Sequence, residues 1–173
     1  MAHIENKGYA QLELNAAAFR RSGRIEAQCK IADGIEYLEN GMLLAVNNVK
    51  RQVEYVTEDN AHLPVALNYT SEHMYDNRAN GLKDFKLDAG SFLPRLGYLG
   101  AGDKYTTNCV DHSYGSEEAF WTAVKAVAET PLYAVAGADG YHKITSNKEG
   151  AIAMVLGATT MPDGQKAVKF QAL

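Results

Sequence analysis

Strict alternation between apolar and polar residues is the feature of this sequence that most constrains its fold. In the segment RIEAQCKIA, Ile25, Ala27, Cys29 and Ile31 fill alternate positions, and polar or charged residues fill the others. Successive side chains of a β-strand point to opposite faces, so this period predicts a half-buried antiparallel strand with Cys29 as a small buried thiol. The chain is therefore predicted to be mainly β, an antiparallel β-sandwich or a barrel-like domain. The same period recurs in YAQLEL, VKRQVEYV, PVALNYT and AVKFQAL.

Asp-Gly pairs mark the expected turns. A type I′ hairpin turn needs positive φ at both central residues, which glycine adopts without a steric penalty. The pairs Asp139-Gly140 and Asp163-Gly164 each lie between extended segments, and a third pair is Asp33-Gly34. The last two segments, LYAVAGADGYHKITS and AIAMVLGATTMPDGQKAVKFQAL, are predicted to form successive hairpins and together a C-terminal meander of about four strands.

One segment departs from the β pattern. In GSEEAFWTAVKAVAETP, Ser116 is suited to cap a helix, two glutamates suit the positive end of its dipole, and Pro131 ends the run. Apolar residues at helical spacing predict one short amphipathic helix at about residues 116–129 that packs on the sheet. A second helical turn is predicted in NAAAFRR, after Asn15.

The length of 173 residues fits a single β-rich domain, placed at residues 25–173, with residues 1–24 as an N-terminal arm or edge strand. The stretch from Tyr75 to Leu96 has little periodicity. Long irregular segments in compact domains often bind partners, so this stretch is the first candidate for an interface.

Charge and composition argue against several classes of protein. A net charge of −4 disfavours a nucleic-acid-binding protein, and the chain lacks the ~18-residue apolar run of a membrane span, which predicts a soluble chain made without export. The two cysteines form no C-x-x-C pair and the five histidines show no metal-ligand spacing. A metal site would have to be assembled wholly from distant residues, and no metal or cofactor is predicted.

The glycine-rich segment GYLGAGDKYTT, residues 97–107, only superficially suggests a phosphate-binding loop. Such a loop needs lysine directly after its second glycine and a hydroxyl next. Here Asp103 precedes Lys104 and Tyr105 follows it, and strand-like residues continue the chain. The segment is predicted to be a glycine turn in which Asp103 helps to begin a strand.

The segment CVDHSYG contains Cys109, Asp111, His112 and Ser113 within five positions. Adjacent residues of a strand point to opposite faces, so Asp111 and His112 are poor partners, and a polar loop between strand and helix is the favoured interpretation. A small hydrolase using Cys109 or Ser113 with His112 stays open as an alternative.

The chain contains ten tyrosines. They are compatible with an interface, or with a carbohydrate-binding β module if they cluster on the surface.

The order of LENGMLLAVN, HMYDNRANGLKDFKLDAGSFLPRLGYLGAGDKYTTN and TTMPDGQKAVKFQAL resembles that in small virion structural proteins of tailed bacteriophages. The likeness covers roughly residues 35–110 and the last 15 residues. It implies a β-rich capsid-associated or decoration protein that acts by assembly and carries no active site, and it supplies no functional residues.

The resemblance thus implies a virion structural protein that binds and stabilises the capsid of a tailed phage. The expected partners are the major capsid protein and further copies of the chain on the lattice, without nucleic acid or membrane. The expected location is the virion, after synthesis in the host bacterial cytoplasm. A tail or neck protein of the same particle is the near alternative, and the hydrolase is the distant one.

Overall fold

The computed structural model describes residues 2–70, 82–90 and 93–173, and it confirms the prediction of a mainly β fold. Within these ranges the strands form sheets of eight, six and two strands. The helices are α1 (Phe19–Ser22) and α2 (Glu117–Lys125), with a 3₁₀ turn at Leu82–Asp84. The strands are β1 (Ala2–His3), β2 (Leu12–Glu13), β3 (Ile25–Glu26), β4 (Lys30–Ile31), β5 (Tyr37–Leu38), β6 (Leu43–Asn47), β7 (Gln52–Tyr55), β8 (Val65–Asn68), β9 (Leu87–Asp88), β10 (Leu96–Gly97), β11 (Lys104–Thr107), β12 (Val110–His112), β13 (Tyr133–Ala136), β14 (His142–Thr145), β15 (Ala153–Thr160) and β16 (Lys166–Ala172).

The eight-stranded sheet contains both predicted C-terminal hairpins. β13 pairs antiparallel with β14, and β15 pairs antiparallel with β16. The predicted meander is wrong, because the sheet order is β1-β12-β14-β13-β15-β16-β11-β2. The outer edge of β14 pairs in parallel with β12, so β15 adds to the other edge of the hairpin, beside β13.

Both edges of the eight-stranded sheet come from the start of the chain. β1 pairs with β12 at one edge, and β2 pairs with β11 at the other. The segment between β1 and β2 buries Ile4 and Ala10, and α1, which follows β2, buries Phe19. The predicted helical turn after Asn15 is confirmed by α1. The division of the chain at residue 24 stays a prediction.

The six-stranded sheet has the order β3-β10-β8-β6-β7-β4, and its central strand β6 is buried from Leu43 to Val46. The predicted single strand RIEAQCKIA is wrong. It forms β3 at one edge of this sheet and β4 at the other, and β4 runs parallel to β7. Cys29 and Ile31 are buried as predicted, whereas Ile25 and Ala27 are exposed.

The short link between β3 and β4 requires this sheet to be rolled. Five strand spacings of ~4.8 Å would put the edges of a flat sheet roughly 24 Å apart. The four Cα steps from Glu26 to Lys30 can span at most about 15 Å. The two edges are therefore drawn together, and we call the gap between them the seam.

The third Asp-Gly pair, Asp33-Gly34, follows β4 and forms no hairpin, since β4 pairs with β7 and β5 pairs with β9.

The two large sheets share a core. Leu43 of β6 and Leu67 of β8 lie in one apolar cluster with Tyr105 and Phe170 of the eight-stranded sheet. The neighbouring residues of β6, Leu44 and Val46, point the other way into a second cluster. This alternation places β6 between the two cores and accounts for its burial on both faces.

Helix α2 covers one face of the eight-stranded sheet through Phe120, Trp121 and Val124. The predicted helix is confirmed but ends at Lys125, and Val127 lies in the turns that follow. In the described part of the chain, no helix has the length and apolar character needed to cross a bilayer.

The cap of α2 gives a first testable prediction. Ser116 Oγ accepts a hydrogen bond from the Ala119 amide at 3.1 Å. Replacing Ser116 with alanine should lower the free energy of unfolding by about 1 kcal/mol, because that amide loses its partner. Urea unfolding measures the loss, and Ser113→Ala, an exposed site three residues earlier, is the control with little expected change. Equal stability of the two variants would contradict the capping role.

Candidate functional site

The glycine-rich segment 97–107 is a structural junction. The predicted turn is confirmed, with Asp103 directly before β11. Its carboxylate accepts hydrogen bonds from the amides of Gly100 (2.9 Å) and Ala18 (2.9 Å) and from Arg24 Nη2 (3.0 Å). A side chain at Gly97 would overlap the ring of Phe19, so this glycine provides room for a core aromatic residue. The buried Asp103 carboxylate is thus occupied by donors from three segments.

The candidates Cys109 and His112 lie in different environments. Cys109 is fully buried in the cluster around β6, and burial, with the charge of Glu39 next, raises its thiol pKa well above the usual value. A nucleophilic cysteine needs the opposite shift. The His112 ring stacks on Phe120 of α2 at 4.8 Å between centroids, while Ser113 is exposed. Asp111 and His112 diverge, as the alternation predicted, but both lie on the buried strand β12, so the predicted polar loop is wrong.

His142, which no sequence pattern marks as functional, is completely buried and hydrogen-bonded through both ring nitrogens. Its Nδ1 lies 3.0 Å from the Cys109 carbonyl oxygen, and its Nε2 lies 2.9 Å from the hydroxyl of Tyr105. A carbonyl can only accept, so Nδ1 carries the proton and the tyrosine hydroxyl donates to Nε2. Burial lowers the pKa of His142 to about 3. The neutral ring is a core element that links β14 to β11.

Three residues that are far apart in sequence converge at the β1 edge of the eight-stranded sheet. His3 lies on β1, Asp111 on β12, and Asp139 in the turn between β13 and β14. One imidazole nitrogen and one oxygen from each carboxylate all lie within 4.8 Å of one another. We call this set the His3 cluster. It is the assembly from distant residues that a metal site in this chain would require.

Electrostatics at the His3 cluster are dominated by two neighbouring carboxylates. Asp111 is 2% exposed, and burial, followed by the charge of Asp139, raises its pKa to about 6, although His3 opposes this shift. Its Oδ1 lies 2.6 Å from His3 Nδ1. No hydrogen bond of good geometry reaches this oxygen from the described residues, so the contact is close but not aligned for proton donation.

The cluster borders a pocket of about 340 Å³. In its wall, Glu39 accepts hydrogen bonds from the Ala10 amide (2.6 Å) and from the Tyr141 hydroxyl (2.9 Å), so one of its oxygens is fully engaged. The His3 ring packs on Tyr141 at 4.2 Å between centroids. The sequence does not predict this site, because the Asp139-Gly140 pair indicates only a turn and because no local pattern predicts the pairing of β1 with β12.

A second surface feature lies beside β4, one of the two edge strands of the rolled sheet. A groove of about 500 Å³ runs between residues 30–35, at the edge strand β4, and Ala89, Gly90 and Leu93. Ile31 and Ile35 form its apolar floor, and Leu93 is 49% exposed. We call it the seam groove. Of the predicted interface from Tyr75 to Leu96, residues 75–81 and 91–92 lie outside the described residues, and part of the rest forms one wall of this groove.

Two of the tyrosines meet near the surface. Tyr9 and Tyr37 pack edge to face at 5.4 Å between ring centroids. The ammonium group of Lys86 lies over both rings, 5.7 Å from the centroid of Tyr9 and 4.9 Å from that of Tyr37. A cation thus occupies a ring face that a sugar would need for stacking, which makes this pair a poor carbohydrate platform.

Comparisons of the chain with protein-family models, with curated proteins and with solved structures found no match.

Proposed function

We propose that this chain is a virion structural protein that binds the capsid surface of a tailed phage and stabilises the lattice. The observation that carries the proposal is the seam groove. It is an apolar channel beside the edge of β4 that pairs with no strand among the described residues, and one of its walls comes from the segment predicted to form an interface. The sequence likeness to phage virion proteins supplies the class of partner.

The groove suits an extended peptide. In β4, the amides of Lys30 and Ala32 bond to residues 51 and 53 beside them. Because alternate residues of a strand bond to the same side, the amide and carbonyl of Ile31 face away from β7. An added strand can pair with such an edge while its side chains enter the apolar groove. An extended loop or terminal arm of the major capsid protein is the proposed occupant.

The environment of the alternative nucleophile also favours a binding role. The thiol of Cys109 is inaccessible in the folded chain, and its surroundings disfavour the thiolate. A protein that acts by assembly binds its partners through its surface. Neighbouring copies on a capsid lattice would contact one another around a symmetry axis.

The first test is compositional. In particles purified from the phage that encodes the chain, quantitative mass spectrometry should give a fixed copy ratio between this protein and the major capsid protein. Recovery with isolated tails or necks would favour the tail alternative, and absence from particles would contradict both structural roles.

The second test addresses the groove. Leu93→Asp places a charge at its apolar wall and should weaken binding to capsids stripped of the protein at least about tenfold, equivalent to ~1.4 kcal/mol. Leu173→Asp is the matched control, because Leu173 is 44% exposed and belongs to the eight-stranded sheet side of the chain. Sedimentation of capsids with labelled protein measures the affinity. Equal binding by both variants would remove the seam groove as the docking surface.

A further inference from the structure

The His3 cluster brings three potential metal ligands together. His3 Nδ1 and Asp111 Oδ1 lie 2.6 Å apart without hydrogen-bond alignment, and one imidazole nitrogen and one oxygen from each of Asp111 and Asp139 all lie within 4.8 Å of one another. At 2.6 Å His3 Nδ1 and Asp111 Oδ1 are in ion-pair contact, and they would separate to about 3.3 Å to share one tetrahedral ion at the usual bond lengths. Asp111 is almost completely buried and its Oδ1 accepts no hydrogen bond from the described residues, so bulk water cannot satisfy this oxygen either.

We propose that His3, Asp111 and Asp139 bind one divalent transition-metal ion, which clamps the edge strand β1 to β12 and to the turn between β13 and β14. This inference goes beyond the capsid-binding role and does not depend on it. Its ligands would be one imidazole nitrogen and two carboxylate oxygens.

The donor set determines the class of metal. Imidazole is a good ligand for Zn²⁺ and its first-row neighbours, whereas Ca²⁺ and Mg²⁺ prefer oxygen alone. Two carboxylates supply the charge that a divalent ion neutralises. The ion can enter from the side of His3, whose side chain is 53% exposed, and water from the adjoining pocket can complete the coordination.

Neighbouring groups hold the ligands in place. Asp139 Oδ1 accepts a hydrogen bond from the Tyr141 amide at 3.1 Å, and the Tyr141 ring packs on His3. Such outer contacts orient metal ligands and are a regular part of metal sites. Glu39 is an unsuitable fourth ligand through Oε2, because that oxygen already accepts two hydrogen bonds.

The clamp has a clear structural purpose. β1 contributes only two residues to the sheet, paired with Asp111 and His112. A strand this short holds weakly by itself, since few backbone pairs offset the entropy of ordering it. An ion that joins residues 3, 111 and 139 would fix the strand, and binding only the folded state would raise the midpoint of thermal unfolding.

The test uses Zn²⁺ with a chain that carries no polyhistidine tag, because a tag near residue 3 would supply competing imidazoles. Calorimetric titration should show one Zn²⁺ per chain, and zinc should raise the unfolding temperature by several degrees. His3→Ala should weaken Zn²⁺ binding at least tenfold and abolish the thermal gain. His3 is largely exposed, so this variant should fold, which circular dichroism checks.

His62→Ala is the matched control, because His62 is an exposed histidine far from the cluster in sequence and should leave zinc binding unchanged. Asp139→Asn is the second ligand variant and should act like His3→Ala. Absence of Zn²⁺ binding at millimolar concentration would overturn the proposal. Binding that survives both ligand variants, or that is lost in His62→Ala, would overturn it equally.

Discussion

Replacing Asp103 with alanine is expected to lower the free energy of unfolding by about 3–5 kcal/mol. Asp103 is 5% exposed, and its carboxylate accepts hydrogen bonds from three donors: the amides of Ala18 and Gly100 and the guanidinium of Arg24. Alanine would leave two backbone amides and one cation without their acceptor. The ion pair itself contributes the smaller share, because Arg24 is 39% exposed and partly screened by solvent.

Equilibrium unfolding in urea measures this loss. Asp59→Ala is the control, since Asp59 is exposed and its replacement should change the free energy by less than about 0.5 kcal/mol. Asp103→Asn should fall between the two variants, because the amide keeps one acceptor oxygen. A loss in Asp103→Ala no greater than in Asp59→Ala would show that the junction does not depend on this carboxylate.

The second large effect is a loss of stability in mild acid caused by His142. Its pKa is lowered to about 3 in the folded chain, from an ordinary value of 6.5, because the ring is buried. Between these pH values the unfolded chain binds a proton that the folded chain does not. Stability from this group is therefore complete above pH 6.5 and falls by about 1.4 kcal/mol per pH unit below it, or about 2 kcal/mol at pH 5.

His142→Gln isolates this contribution. Glutamine cannot titrate, so the free energy of unfolding of the variant should depend less steeply on pH between 7 and 5. We expect its slope to be smaller than that of the natural protein by up to about 1.4 kcal/mol per pH unit. The groups facing His142 are the hydroxyl of Tyr105, the carbonyl of Cys109 and the ring of Phe170, and none of them titrates in this range. Urea unfolding at several pH values supplies the slopes. Parallel slopes for the two proteins would contradict the assignment.

Local sequence patterns predicted much of the secondary structure. The hairpin at Asp163-Gly164 and the Ser116 cap were predictable because each depends on residues only a few positions apart. The strand RIEAQCKIA was predicted as one element because its alternation is regular. The structure divides it because β3 and β4 find partners on β10 and β7, and no local pattern encodes that choice.

The His3 cluster could not be predicted from local sequence patterns. His3 and Asp111 meet only because β1 adds to β12, and Asp139 joins them only because β14 pairs in parallel with β12. Each of these pairings links distant parts of the chain. The alternation around Asp111 did predict that its side chain diverges from His112, which was the one usable local signal.

The placement of β1 and β2 at opposite edges of the eight-stranded sheet affects the order of biogenesis. Their partners are β12 and β11, about a hundred residues later in the chain. The residues of β1 and β2 must therefore wait for segments made much later before they can pair. The C-terminal hairpins can form locally, whereas the two edges of the sheet depend on these long-range pairings, which slow its completion.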